Sequence, residues 1–139
     1  MGRKKARDNA FKCIYQFGFE EHNKIDDILK YCYSENENDE EEIEYISKVV
    51  RGVSENLESI DKVILSKLKN WTMQRISKID LAILRLAIYE LLYIHDIPEK
   101  VTANEAVELA KTYGSNDSKS FVNGVLAKVI ESKEETNGE

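Results

Sequence analysis

Leu81 to Ile94 reads LAILRLAIYELLYI, fourteen residues with only two charges, Arg85 and Glu90. Leu, Ile and Ala dominate it and neither Gly nor Pro interrupts it. A helix that is apolar on nearly every side belongs inside a protein. At about 1.5 Å per residue the stretch would run roughly 21 Å. That is too short for a bilayer core of about 30 Å. It therefore reads as the central helix of a helical domain, packed by neighbours on several sides. A buried charge needs a partner or a path to the rim. Arg85 and Glu90 are five residues apart, about 140° around the helix, so they do not pair with each other.

The rest of the chain fits a helical frame around that rod. In 139 residues there are one Pro and six Gly, and 42% of the chain is apolar. No stretch alternates apolar and polar residues cleanly enough for a strand. The length fits one domain over 1–139, or two subdomains of about 1–70 and 71–131 sharing a core, with 132–139 as a frayed tail. The net charge of −6 is uneven. Residues 1–12 carry Arg3, Lys4, Lys5, Arg7 and Lys12 against Asp8, a local +4 that leaves −10 elsewhere. A small basic end on an acidic body suits a directed contact with a polyanion, though a solvated first turn accounts for the charge equally well. Cys13 and Cys32 match neither a zinc pattern nor CxxC and read as reduced, packed thiols. No apolar run follows the basic residues, so the start is not a signal peptide and the cytoplasm is expected.

The first helix is expected over 3–22, with Ala6, Ala10, Cys13, Ile14 and Phe17 on its core face. Phe11 reads as core. Tyr15 fits either the core or a surface on which bases stack beside basic side chains. A second helix carries Ile25, Ile28, Leu29 and Cys32. Seven acids lie in 35–44, first in a loop and then at the start of a third helix, where they suit the positive end of the helix dipole. Apolar residues from Ile43 to Leu68 step by three or four, which predicts one rod over 40–69, roughly 45 Å long. Gly52 inside it suggests a close helix crossing. Thr72 caps a short turn over Met73–Ser77, and His95 ends the central helix before Pro98. Thr102 and Glu105 have the spacing of a capping box. Gly114 stops that helix, and Asp117 or Ser118 caps the last one. Phe121, Val122, Val125, Leu126 and Val129 face inward, with Gly124 as a packing glycine.

The familiar catalytic signatures are missing: no phosphate loop, GxGxxG, HExxH or GxSxG occurs. His22 and His95 stand alone, and Glu90, the one acid in an apolar context, reads as structural. A binding module is the better class than an enzyme, with no cofactor and no metal expected.

Four segments give the chain a family likeness: RKKARDNAFKCIYQ (3–16), VVRGVSENLESIDKVI (49–64), IDLAILRLAIYEL (79–91) with IPEKVTANEAVELAKTYG (97–114), and SKSFVNGVL (118–126). They resemble the NusB family of bacterial transcription antitermination factors, with Ala103 where the family commonly has Ile. The resemblance implies an all-α fold of about seven helices in two packed three-helix subdomains. It implies binding of boxA RNA from ribosomal operons together with NusE, a small-subunit ribosomal protein, within a complex that includes NusA, NusG and RNA polymerase. By the same resemblance, Arg3, Lys4, Lys5 and Arg7 match the basic RNA-binding motif. Tyr15, Asp117 and Phe121 match further RNA contacts, and Asp80 matches a NusE contact. Lysines stand at two positions where some relatives carry Arg, which keeps the charge but loses the bidentate grip. Four cations on a single strand give a salt slope near −3, enough to orient RNA and modest in affinity. The alternatives are a protein-interaction domain without RNA contact, as in the NusB-like part of a ribosomal RNA cytosine methyltransferase, and a homodimer that hides the basic end.

Overall fold

The computed structural model describes residues 3–16, 25–35, 39–69 and 72–137. Phe17 and His22 fall outside these residues. Seven helices follow in order: α1 (Arg3–Tyr15), α2 (Ile25–Glu35), α3 (Glu40–Glu55), α4 (Leu57–Ser66), α5 (Lys78–Tyr93), α6 (Glu99–Tyr113) and α7 (Ser118–Asn137). No strand occurs among the described residues.

α5 is the expected central helix. Every residue from Asp80 to Leu91 is buried, and α1, α3, α4, α6 and α7 all pack against it. Its two charges do find separate partners. Arg85 donates from Nε and Nη2 to the two carboxylate oxygens of Asp61 on α4, at 2.9 and 2.8 Å. Glu90 turns to α1, described below. The helix starts where Ser77 Oγ accepts from the Asp80 N–H at 3.1 Å, an ordinary N-cap.

Several local expectations change. The single rod over 40–69 is two helices, broken at Asn56. The Asn56 side chain donates to the Gly52 carbonyl at 2.8 Å, which its own N–H also reaches at 3.0 Å. An asparagine amide that competes for a backbone carbonyl favours a helix end. Gly52 does mark a close crossing: a Cβ there would lie 2.2–2.3 Å from ring atoms of Tyr89. Gly124 does not; nothing lies within 4 Å of a Cβ built on it. The reciprocal capping box is Asp39–Glu42 at the start of α3, with bonds of 2.9 and 2.8 Å. Thr102 is no cap, because α6 already begins at Glu99 and the Thr102 hydroxyl is spent on Glu90. Met73–Arg75 forms a 3-10 turn without a side-chain bond from Thr72. Ile94 takes the C-cap position given to His95, which is exposed.

The end of the chain also differs. α7 is helical to Asn137, past the position 132 at which a tail was expected to begin. Lys133 explains the extra turns: its ammonium donates to the Leu91 carbonyl at 2.7 Å and to Glu99 at 2.6 Å. A cation at the C-terminal carbonyls of α5 also complements that helix dipole. Cys13 and Cys32, expected reduced, are joined as a disulfide between α1 and α2 with Cα atoms 6.4 Å apart. Their separation of 19 residues carries no signal of pairing; only the packing of the two helices brings them together.

Candidate nucleic-acid interface

The basic end of α1 divides into an inward and an outward part, and helix geometry sets the division. Ala6, Ala10, Cys13 and Ile14 are at most 1% exposed and define the inward face. Arg7 lies seven residues before Ile14, about two turns away and roughly 20° off its direction. It is therefore drawn inside, and is 4% exposed. Arg7, expected on the RNA face, is thus turned inward in this structure. Its Nε donates to Glu90 Oε2 at 2.9 Å and its Nη2 to Oε1 at 3.1 Å, a fork on the one acid inside the central helix. Tyr45 of α3 donates its hydroxyl to Glu90 Oε2, and Thr102 of α6 donates to Oε1 at 2.7 Å. One carboxylate thus joins α1, α3, α5 and α6. Burial would pull the Arg7 pKa down, but the bond and charge of Glu90, with Tyr45 and Glu105, raise it above the ordinary value. The Arg7 guanidinium therefore keeps its charge across any working pH.

Lys4 and Lys5, by contrast, are exposed. Lys5 Nζ lies 3.8 Å from Glu42, the capping acid of α3, a weak contact at this exposure. They stand in the first turn of α1, where the free N–H groups and the helix dipole add to the attraction for anions. The backbone of Arg3 is helical there.

An aromatic row lies along α1. The rings of Tyr15 and Phe11 are 6.3 Å apart, and those of Phe11 and Tyr113 are 5.0 Å apart. Phe11 is core, 3% exposed, while Tyr15 and Tyr113 are half-buried. The Tyr113 hydroxyl donates to Asp8 Oδ1 at 2.7 Å. Asp8 in turn pairs with Lys12 at 3.2 Å, and Lys12 Nζ sits 5.9 Å over the Tyr113 ring. Burial and the Asp8 carboxylate push the Tyr113 phenol up, against the opposing pull of Lys12. For Lys12, burial lowers and Asp8 raises, with a net rise. Sequence reasoning missed this cluster. The Asp8–Lys12 spacing is legible on a helix, but Tyr113 is 105 residues away from Asp8.

Phe121, on the first turn of α7, is half-buried and packs on the core. Asp117 just before it is exposed; its side chain has no hydrogen bond or ion pair among the described residues. Asp80 occupies a different place, in the first turn of α5. It is 9% exposed, and its Oδ1 is buried with no hydrogen-bond partner among the described residues. A buried acceptor left unpaired costs on the order of 1–3 kcal/mol. Among the described residues no group of three or more His, Cys, Asp or Glu could hold a metal ion, and no helix is long and apolar enough to cross a membrane.

Comparison with known proteins agrees with this architecture. The model of the NusB family matches residues 4–131. The transcription antitermination protein NusB of Clostridium acetobutylicum is 46% identical over 135 residues, covering 97% of this chain and 99% of that protein. A solved structure of T. maritima NusB superposes with a TM-score of 0.89 at 38% identity, over 94% of this chain and 92% of the other. A structure of the antitermination factors NusB and NusE in complex with dsRNA gives a TM-score of 0.86 at 28% identity, over 94% and 96%.

Proposed function

The chain belongs to the NusB family, and on that premise we propose that it is an antitermination factor that binds boxA RNA together with NusE, without a catalytic step of its own. The observation that carries this reading is the division of α1, whose exposed Lys4 and Lys5 stand at the helix end while Arg7 is withdrawn to fix the helix. A solved relative that holds NusE and dsRNA supports both partners. The RNA-facing set becomes Arg3, Lys4, Lys5, Tyr15, Asp117 and Phe121. Lysines and the helix end hold phosphates; the half-buried rings offer surfaces for stacking; Asp117 offers an unpaired acceptor for base N–H groups. The two halves of the chain, about 1–70 and 71–131, each contribute, through α1 and α7. With Arg7 removed from the count, three cations give a salt slope of roughly −2 on a single strand.

Asp80 is the NusE-facing residue in this reading. It stands in the first turn of α5, and the acidic body attracts a basic ribosomal protein. Two weak contacts, RNA to α1 and NusE to α5, strengthen each other when both partners also touch. The pair then joins NusA, NusG and RNA polymerase. Sedimentation of the chain with NusE, with boxA RNA, and with both tests this directly. A ternary species tighter than either binary one is expected. A chain that binds NusE yet leaves boxA RNA free would overturn the RNA role, and a homodimer that excludes RNA would do the same.

A further inference from the structure

A cleft of about 430 Å³ opens between α1 and α6, beside the proposed RNA face. Its lining is chemically sorted. Leu109, 8% exposed, offers an apolar surface. Lys4 is exposed and has no partner among the described residues. Glu105, with its side chain 24% exposed, has one partner among the described residues, Arg7 Nη1 at 3.8 Å, beyond hydrogen-bond range. Arg7 cannot come closer without leaving Glu90, which holds its other two donor positions. Glu105 thus stands in ion-pair range of Arg7 while its oxygens accept no hydrogen bond among the described residues. The neighbouring acid Glu108 is already tied to Lys111 at 3.2 Å.

A ligand for this cleft needs a flat face for Leu109, adjacent N–H donors for a carboxylate, and an anion within reach of an ammonium. A nucleotide with an amino-bearing base meets all three. Guanine fits best, because its N1–H and N2–H groups lie side by side and match the two oxygens of a carboxylate. Adenine and cytosine offer only an amino group, and uracil offers no amino donor. We propose that the α1/α6 cleft is a nucleobase pocket of the RNA-binding surface, in which Glu105 reads an amino-bearing base, guanine foremost, Leu109 packs on its face and Lys4 holds the adjoining phosphate. The pocket rests on the RNA-binding reading above and adds base selection to it.

The test is an anisotropy titration of the full chain with NusE, using a single-stranded boxA RNA and the same RNA with inosine in place of guanosine. Inosine lacks the 2-amino group and little else. The wild-type chain should bind the inosine RNA about tenfold more weakly, within the range for one paired base contact. Glu105→Gln should lose a similar factor on the guanosine RNA and show almost no further loss on the inosine RNA. Lys4→Gln, a surface change that cannot disturb the fold, should weaken both RNAs equally and flatten the salt dependence. A Glu105→Gln chain that melts normally but keeps the wild-type ratio between the two RNAs overturns the pocket while leaving RNA binding intact. Loss of NusE binding in place of RNA binding would assign the cleft to a basic protein side chain and likewise overturn it. If the wild-type chain binds neither RNA, the parent reading fails and the pocket with it.

Discussion

Replacing Arg7 by Ala should destabilise the protein severely while leaving its electrostatic grip on RNA intact. The Arg7 side chain is 5% exposed and that of Glu90 0%, so the variant strands a carboxylate in the interior with only Tyr45 and Thr102 as donors. Removing one partner of a buried pair costs about 3–5 kcal/mol. That is a large fraction of a total stability on the order of 5–15 kcal/mol. At about 4 °C per kcal/mol for a chain of this length, the midpoint should fall by roughly 12–20 °C. Glu90→Gln should cost a comparable amount, since it leaves the guanidinium uncompensated. The combined Arg7→Ala, Glu90→Gln chain should lose much less than the sum, with a coupling of at least about 2 kcal/mol. Denaturant unfolding of the four chains supplies the numbers. RNA titration of the Arg7→Ala chain, kept cold enough to stay folded, supplies the link to function: its salt slope should match wild type. Additive losses, an Arg7→Ala cost under about 1 kcal/mol, or a slope reduced by about 0.7 would each refute the inward role of Arg7.

The two glycines should respond with opposite sign. Gly52→Ala pushes a methyl into the Tyr89 ring, itself stacked 5.1 Å from Tyr93, and should cost about 1–3 kcal/mol. Gly124→Ala meets nothing and should gain up to about 1 kcal/mol from helix propensity, both read by thermal unfolding. Tyr89 and Tyr113 both have raised phenol pKa values, Tyr89 through burial and then the charges of Glu55 and Tyr93, Tyr113 through burial and then Asp8. A raised phenol keeps its proton longer when folded, so its contribution is complete below the ordinary value of 10.0 and is lost as pH rises through the folded value. Phenolate absorbance should therefore show late-titrating tyrosines, and Asp8→Asn should move the Tyr113 step back toward the ordinary value; a titration unchanged by Asp8→Asn would contradict this.

How much of this was legible in the sequence depended on the range of the interaction. α5 was readable because nearly every residue from Leu81 to Ile94 carries the same message, and no local alternative competes with it. The burial of Glu90 followed from the same stretch, but its partner lies 83 residues away and only the packing of α1 on α5 reveals it. The burial of Arg7 was not read from its charge, although on the helix it nearly eclipses Ile14, which is core. The break at Asn56 was hidden by an unbroken apolar period, since the apolar spacing does not register a side-chain amide bonding back to Gly52. Gly124 has the spacing of a packing glycine yet faces outward, and Lys133 extends α7 through contacts with Leu91 and Glu99 that local sequence does not show.

The outward half of α1 is the part on which function rests, and Lys4→Ala with Lys5→Ala isolates it. Both side chains are exposed, so stability should change by less than about 1 kcal/mol. Titrating boxA RNA with NusE present, across a range of salt, should show weaker binding and a slope flatter by roughly 1.4, two phosphates at about 0.7 each. An unchanged slope in a fully folded double variant would contradict the division of labour between the buried Arg7 and the two exposed lysines.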